Sequence, residues 1–269
     1  MTPGEGQLVV VNAREDKRRR SQLSVMLGVS VVLAMILVRQ PLLAGVPGSV
    51  WSTGVLVGAF LLAWRGQIFR RAHAMLRLAQ LRRDGLAATA KLNAGDFAGA
   101  HDAFAKLLSE AQPLGAFHAV HVLMYGVTRF FEGAPKEGLT LASRALDSQW
   151  LDLRHTREVK DSAEAWRVLM LLEVGELAEA RRLVEKSKVL VTGKLAVSAY
   201  EEKWEEVLEG AKAALADSSF PAGGRPTLAV LGKYAASKLG RESAVFQKVL
   251  KTEKPGPLLL QNPALRRFL

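Results

Sequence analysis

The side chains with the widest chemical reach in this chain are five histidines, His73, His101, His118, His121 and His155. Imidazole can act as general base, proton shuttle or metal ligand near neutral pH. His118 and His121 stand three residues apart, and on a helix that spacing turns two imidazoles towards one face, where they could meet a divalent cation. A zinc site needs a third protein ligand and an orienting carboxylate. Neither follows at a suitable spacing, so packing or surface roles account better for the pair. Cysteine is absent, which excludes disulfides, thiolate metal sites and a cysteine nucleophile. Gly193-Lys194 lacks the preceding glycine and following Ser/Thr of a phosphate-binding loop, and there is no dinucleotide fingerprint, zincin motif or nucleophile elbow. Glu201, Glu202, Glu205 and Glu206 could pair as acid and base, yet Lys203 and Lys212 beside them fit a solvated helix face. The expectation is a protein that is not an enzyme and takes no cofactor and no metal.

What must position any site is set by charge and hydropathy. The 269 residues are 49% hydrophobic, enough to bury a sizeable core, and carry a net charge of +11. Residues 17–83 hold eleven Lys/Arg and no Asp or Glu, whereas residues 84–269 hold 25 basic and 23 acidic residues. The excess therefore flanks the two most apolar stretches, as in membrane proteins, and is not spread over a face that could track phosphates. Nucleic acid is an unlikely partner on this distribution.

Residues 23–38 are uncharged and follow Lys17, Arg18, Arg19 and Arg20; with Gln22 they reach about 26 Å as a helix, slightly short of a hydrocarbon core. Residues 46–64 form a second uncharged stretch with Trp51 and Trp64 near its ends, followed by Arg65, Arg70 and Arg71. Basic residues outside both spans and only Arg39 between them predict a transmembrane hairpin over 21–66, with both termini cytoplasmic. Residues 1–20 read as a flexible basic cytoplasmic tail, and the setting as a bacterial-type inner membrane. A cleaved signal peptide or two buried soluble helices are the alternatives. Ser24 and Gly28, and Gly54 and Gly58, put small residues four apart, which lets helix backbones approach closely in lipid, within the hairpin or between copies in a homo-oligomer. Residues 67–84 read as a basic amphipathic helix that either lies on anionic headgroups or prolongs the second span.

From Gly85 the chain is rich in Ala, Leu, Glu, Lys and Arg with helical periodicity, so the class is all-α: a two-helix transmembrane hairpin followed by a helix-pair α-solenoid. Breaks are expected at Gly95, 112–115, 133–135, Gly175, 192–194, 218–226 and Gly240. Three of them recur with a pattern. Gly95-Asp96-Phe97 precedes Ala100, Phe104 and Leu107; Gly133-Ala134-Pro135 precedes Gly138, Ala142 and Ala145; Gly175-Glu176-Leu177 precedes Ala180 and Val184. A glycine ends one helix, and small residues let the next pack against it. This resembles the tetratricopeptide repeat family, and Gly126, seven residues before Gly133, matches the small residue at which that family's paired helices cross. No unit has the family's early tryptophan, and the turn spacings of 38 and 42 exceed its period of 34. Trp204, Val207 and Ala211 look like a second helix, but too few residues precede them for an ordinary first one. A last pair is expected around Gly240.

The resemblance covers a repeat domain over 85–253 and implies protein binding. Its register places Val120, Leu123, Val127, Phe130 and Phe131, with Ser162, Ala165, Leu169, Leu172 and Glu173, on a groove-lining face. The same side chains could instead be core packed against neighbouring repeats. The segment 254–269, with Pro255, Pro257 and Pro263, cannot be one long helix; it either caps the last repeat or is a peptide offered to a partner. The function expected is a membrane-anchored adaptor or scaffold that recruits protein partners, themselves membrane-associated, at the cytoplasmic face. The alternative is a structural subunit of an oligomeric membrane assembly packed through the hairpin.

Overall fold

The computed structural model describes residues 79–110, 115–152, 156–187 and 190–269. The hairpin over 21–66 lies outside these residues, as do Ser24, Gly28, Gly54, Gly58, the charges Lys17, Arg18, Arg19, Arg20, Arg65, Arg70 and Arg71, and most of the segment 67–84. Among the described residues no helix is long and apolar enough to cross a membrane.

The described chain is all-α, with eleven helices and no strand. In order these are α1 (79–93), α2 (Phe97–Glu110), α3 (Ala116–Phe131), α4 (Pro135–Asp147), α5 (Arg157–Val174), α6 (Leu177–Lys186), α7 (Val191–Tyr200), α8 (Trp204–Ala216), α9 (Arg225–Lys238), α10 (Ala244–Thr252) and α11 (Pro257–Leu260). From Gly85 onward they belong to one compact unit.

The first ten helices form five consecutive pairs, and every pair turns by the same device. The first helix ends on a residue of left-handed backbone: Gly95 (φ 83°), Gly133 (φ 86°), Gly175 (φ 87°), Glu202 (φ 58°) and Gly240 (φ 63°). Its N–H bonds the carbonyl three residues back, and the next N–H bonds the carbonyl five back. At the third turn these are Gly175 N to Leu172 O at 3.3 Å and Glu176 N to Leu171 O at 2.9 Å; at the fourth, Glu202 N to Ala199 O at 3.2 Å and Lys203 N to Ser198 O at 2.9 Å. This is the Schellman closure, which satisfies carbonyls that a helix end otherwise leaves unpaired. At the start of α2, Asp96 adds an N-cap, accepting from the Gly99 N–H at 2.9 Å.

Small residues set how closely each pair packs. Gly126 on α3 crosses Gly138 on α4 so tightly that a Cβ on Gly138 would lie 2.6 Å from the Gly126 carbonyl oxygen. Ala88, Ala100, Ala142 and Ala180 are fully buried. Beyond its own partner, each first helix from α3 onward also packs on the next pair's first helix, α3 on α5, α5 on α7 and α7 on α9, an arrangement compatible with a helical solenoid.

Between the starts of α6 at Leu177 and α8 at Trp204, the short interval is accommodated because α6 and α7 are each ten residues long. The break expected over 192–194 is instead helix, because Gly193 lies inside α7, buried between Val168 and Val184. The acidic group expected on one helix face is also divided, since α8 begins at Trp204 and Glu201, Glu202 and Lys203 form the turn before it.

The segment 254–269 folds back onto the repeats. It forms α11 and a short 3-10 turn, Arg266–Phe268, and buries Leu259, Ala264, Leu265 and Phe268. Pro257 and Gln261 lie against the Gly95 turn of the first pair, while the Tyr200 hydroxyl at the end of α7 donates to the Ala264 carbonyl at 2.8 Å.

Candidate functional site

The groove-lining face implied by the repeat register is divided by the fold. Leu123, Val127, Phe130 and Leu172 are core side chains, with Val127 and Phe130 fully buried. Of the two placements expected for them, an open groove or core against neighbouring helices, their burial is that of core: α3, which bears Leu123, Val127 and Phe130, packs against both α4 and α5, the helix of Leu172. Val120, Phe131, Ala165 and Leu169 are half-buried, and Ser162 and Glu173 are exposed. Only this second group can meet another molecule without local unfolding.

The half-buried aromatics gather near the turns. Phe97, two residues after Gly95, stacks on Phe131, two residues before Gly133, with ring centroids 4.6 Å apart and planes within 11°. Trp166 of α5 meets Phe131 edge-on at 5.7 Å and Phe130 at 6.4 Å. A second group forms where Tyr200 and Trp204 flank Glu202: Trp204 lies 5.5 Å from Tyr234 of α9, and the Phe268 ring rests against Tyr200, Tyr234 and Trp204 at 5.7, 5.2 and 6.5 Å. The guanidinium of Arg267 sits 3.7 Å over the Tyr200 ring, a cation–π distance. Burial raises the Tyr200 hydroxyl above its usual range, with Arg267 opposing that shift, so the group stays protonated and available as a donor at neutral pH.

The sequence could show aromatic residues beside the turns but not that Phe268 belongs with three of them. Sequence separations of 34 to 68 residues carry no local signal.

The histidines take structural positions. His118 and His121 are both buried on α3; the His121 Nδ1–H donates to the Phe117 carbonyl at 2.7 Å, and its ring lies between Phe104 and Phe117. Burial holds the His121 imidazole below its usual range, partly opposed by that hydrogen bond. His101 of α2 is 2.9 Å from the Glu132 carboxylate, which Arg129 also engages at 2.6 Å while bonding Glu137. These contacts tie α2 to the α3–α4 turn. His73 and His155 lie outside the described residues. Among the described residues no group of three His, Asp or Glu side chains is placed to hold a metal ion.

The four clustered glutamates divide their partners. Glu201 pairs with Lys203 at 2.7 Å and with Arg181, and the hydrogen bond from Lys203, with that from Arg181, holds its carboxyl below the ordinary range against the opposing effect of burial. Glu205 pairs with Arg241 at 2.8 Å. Glu206 lines an open groove of about 600 Å³ with Val184, Leu190, Lys194, Leu195 and Gly210. Glu185 also lines it, so two carboxylates and the Lys194 ammonium edge a largely apolar depression. Compared with protein-family models, with curated proteins and with solved structures, the chain matches none.

Proposed function

We propose that the chain is a membrane-anchored helical-repeat adaptor that recruits or organises protein partners at the cytoplasmic face of the membrane. The observation that carries this reading is the five helix pairs closed by one repeated turn, with first helices stacked on first helices and half-buried aromatic side chains near the turns. Stacked pairs build a long surface from short units, and partially exposed aromatics are the side chains that anchor protein interfaces. The finer assignment, degenerate repeats of the tetratricopeptide type, rests on the Gly126–Gly138 crossing and the glycine turns. The membrane anchor and the orientation rest on the two uncharged stretches and their basic flanks.

Reporter fusions or cysteine labelling in a chain that has no cysteine of its own test the orientation: residues 10 and 150 should both report from the cytoplasm. Finding residue 150 on the other side removes the cytoplasmic adaptor. Partner recruitment is tested by affinity capture from detergent-solubilised membranes with the parent and with Phe131→Glu and Leu169→Glu. The expected result is a defined protein lost from both variants while helicity and melting are kept. A Gly58→Leu chain that disperses an oligomer, with no partner captured by the parent, would instead favour the hairpin-packed assembly.

A further inference from the structure

We propose that Tyr200, Trp204 and Tyr234 form a ledge that binds a partner segment carrying arginine followed by phenylalanine, and that Arg267 and Phe268 hold it as an internal ligand. The inference deepens the adaptor reading, on which it rests for its biological setting.

The geometry is that of a peptide in a receptor. Phe268 is held by three aromatic rings from three different helices or their ends, with centroids 5.2 to 6.5 Å away. Arg267 lies over the Tyr200 ring, and the Tyr200 hydroxyl takes the Ala264 carbonyl. One side chain thus anchors, one adds a cation–π contact, and one backbone hydrogen bond sets the register, a combination of the kind peptide-recognition sites use.

Two features mark the segment as a ligand more than as core. Its entry is the Lys254-Pro255-Gly256 stretch, which lies outside any helix between α10 and α11. Its docking is also incomplete. Asn262 is buried with its Oδ1 lacking a hydrogen-bond partner among the described residues, and Leu260 is half exposed. A segment selected only as a permanent cap would have little reason to bury an unanswered amide oxygen. A partner segment with the same arginine–phenylalanine pair and a better-satisfied residue at that position can displace it.

Tethering gives the resident segment a high effective concentration, so a free peptide reports on the ledge only when the tether's hold is weakened. The test uses the full-length protein in detergent and a fluorescein-labelled synthetic peptide of the sequence 254–269, read by anisotropy. The parent should bind it weakly. Phe268→Ala should bind it at least about tenfold more tightly, and Arg267→Ala, which removes an exposed side chain and keeps the fold, about two- to fivefold more tightly. Adding Tyr234→Ala to either variant, or replacing the peptide's own phenylalanine by alanine, should abolish the gain. Should Phe268→Ala lose its fold, Arg267→Ala alone carries the test. Equal affinities for parent and Arg267→Ala overturn the proposal and leave the segment a permanent cap. A concentration-dependent dimer of the variants, without peptide binding, overturns it in favour of exchange of the segment between copies. The adaptor reading fails separately: capture of a partner that survives Arg267→Ala and Tyr234→Ala keeps it while the ledge fails, and peptide binding with residue 150 on the outer side keeps the ledge while the adaptor fails.

Discussion

Replacing Gly138 by alanine should destabilise the repeat domain although alanine is the better helix former. A Cβ at that position lies 2.6 Å from the Gly126 carbonyl oxygen, 3.2 Å from the Phe130 nitrogen and 3.3 Å from the Phe130 Cβ. The first of these is about 0.8 Å inside ordinary contact, which begins at 3.4 Å, and the obstacles are mainly backbone, so no rotamer change relieves them. The α3 and α4 axes must separate, and the pair is pinned by the Gly133 turn and by buried Leu141, Ala142 and Ala145. Overpacking of this kind costs about 1–3 kcal/mol, against about 0.5–1 kcal/mol gained when glycine leaves a helix interior. The net loss of about 0–2.5 kcal/mol, centred near 1 kcal/mol, lowers the melting temperature by up to roughly 10 °C at 2–4 °C per kcal/mol for a domain of this size. Gly210→Ala is the matched control. Its Cβ would meet Leu195 Cδ2 at 2.6 Å, the mobile end of a side chain, so its melting temperature should equal or exceed the parent's. Circular dichroism of the full-length protein in detergent reads both. A Gly138→Ala variant that melts above the parent refutes the crossing as the determinant of this pair's packing.

Three further outcomes follow from the same structure. Glu202 holds a left-handed φ of 58° without being glycine; Glu202→Gly should relieve about 1 kcal/mol of backbone strain, partly offset by the unfolded chain's gain in entropy, so melting should rise by a degree or two and not fall. Phe130→Glu puts a carboxylate at a fully buried position and should cost several kcal/mol or prevent folding, whereas Phe131→Glu, at a half-buried position, should leave most of the helicity in place by circular dichroism. Because burial lowers the His121 pKa from 6.5, the folded chain binds fewer protons than the unfolded chain below about pH 6.5. His121 therefore costs no stability above that range and a growing amount as pH falls towards its folded value; His121→Gln should flatten the drop in melting temperature between about pH 7.5 and 5.5.

The all-α class, four of the five turns and the small residues Gly126 and Gly138 at a close helix crossing were legible in the chain because each has a local cause. Helical periodicity marks the buried stripe of each helix, glycine marks the left-handed residue that closes it, and a small residue marks where a second backbone must pass. The fourth turn hid because its left-handed residue is Glu202, which carries none of glycine's signal, and because α6 and α7 shorten to ten residues each to fit the interval. Gly193 misled in the opposite direction: the same residue type that ends helices elsewhere lies inside α7, where an added Cβ would meet Val168 and Val184 at an ordinary contact distance of 3.5 Å and no turn requires it.

Which apolar side chains are core was decided only in three dimensions. Phe130 and Phe131 are adjacent and chemically identical, yet one is fully buried and the other half exposed, since a rotation of about 100° per residue turns Phe130 to the Gly138 crossing with α4 and Phe131 to Phe97 of α2. The same holds for the meeting of Phe268 with Tyr200, Trp204 and Tyr234. Periodicity and turn chemistry act over a few residues, while that contact joins positions separated by up to 68, and only the stacking of whole helix pairs brings them together.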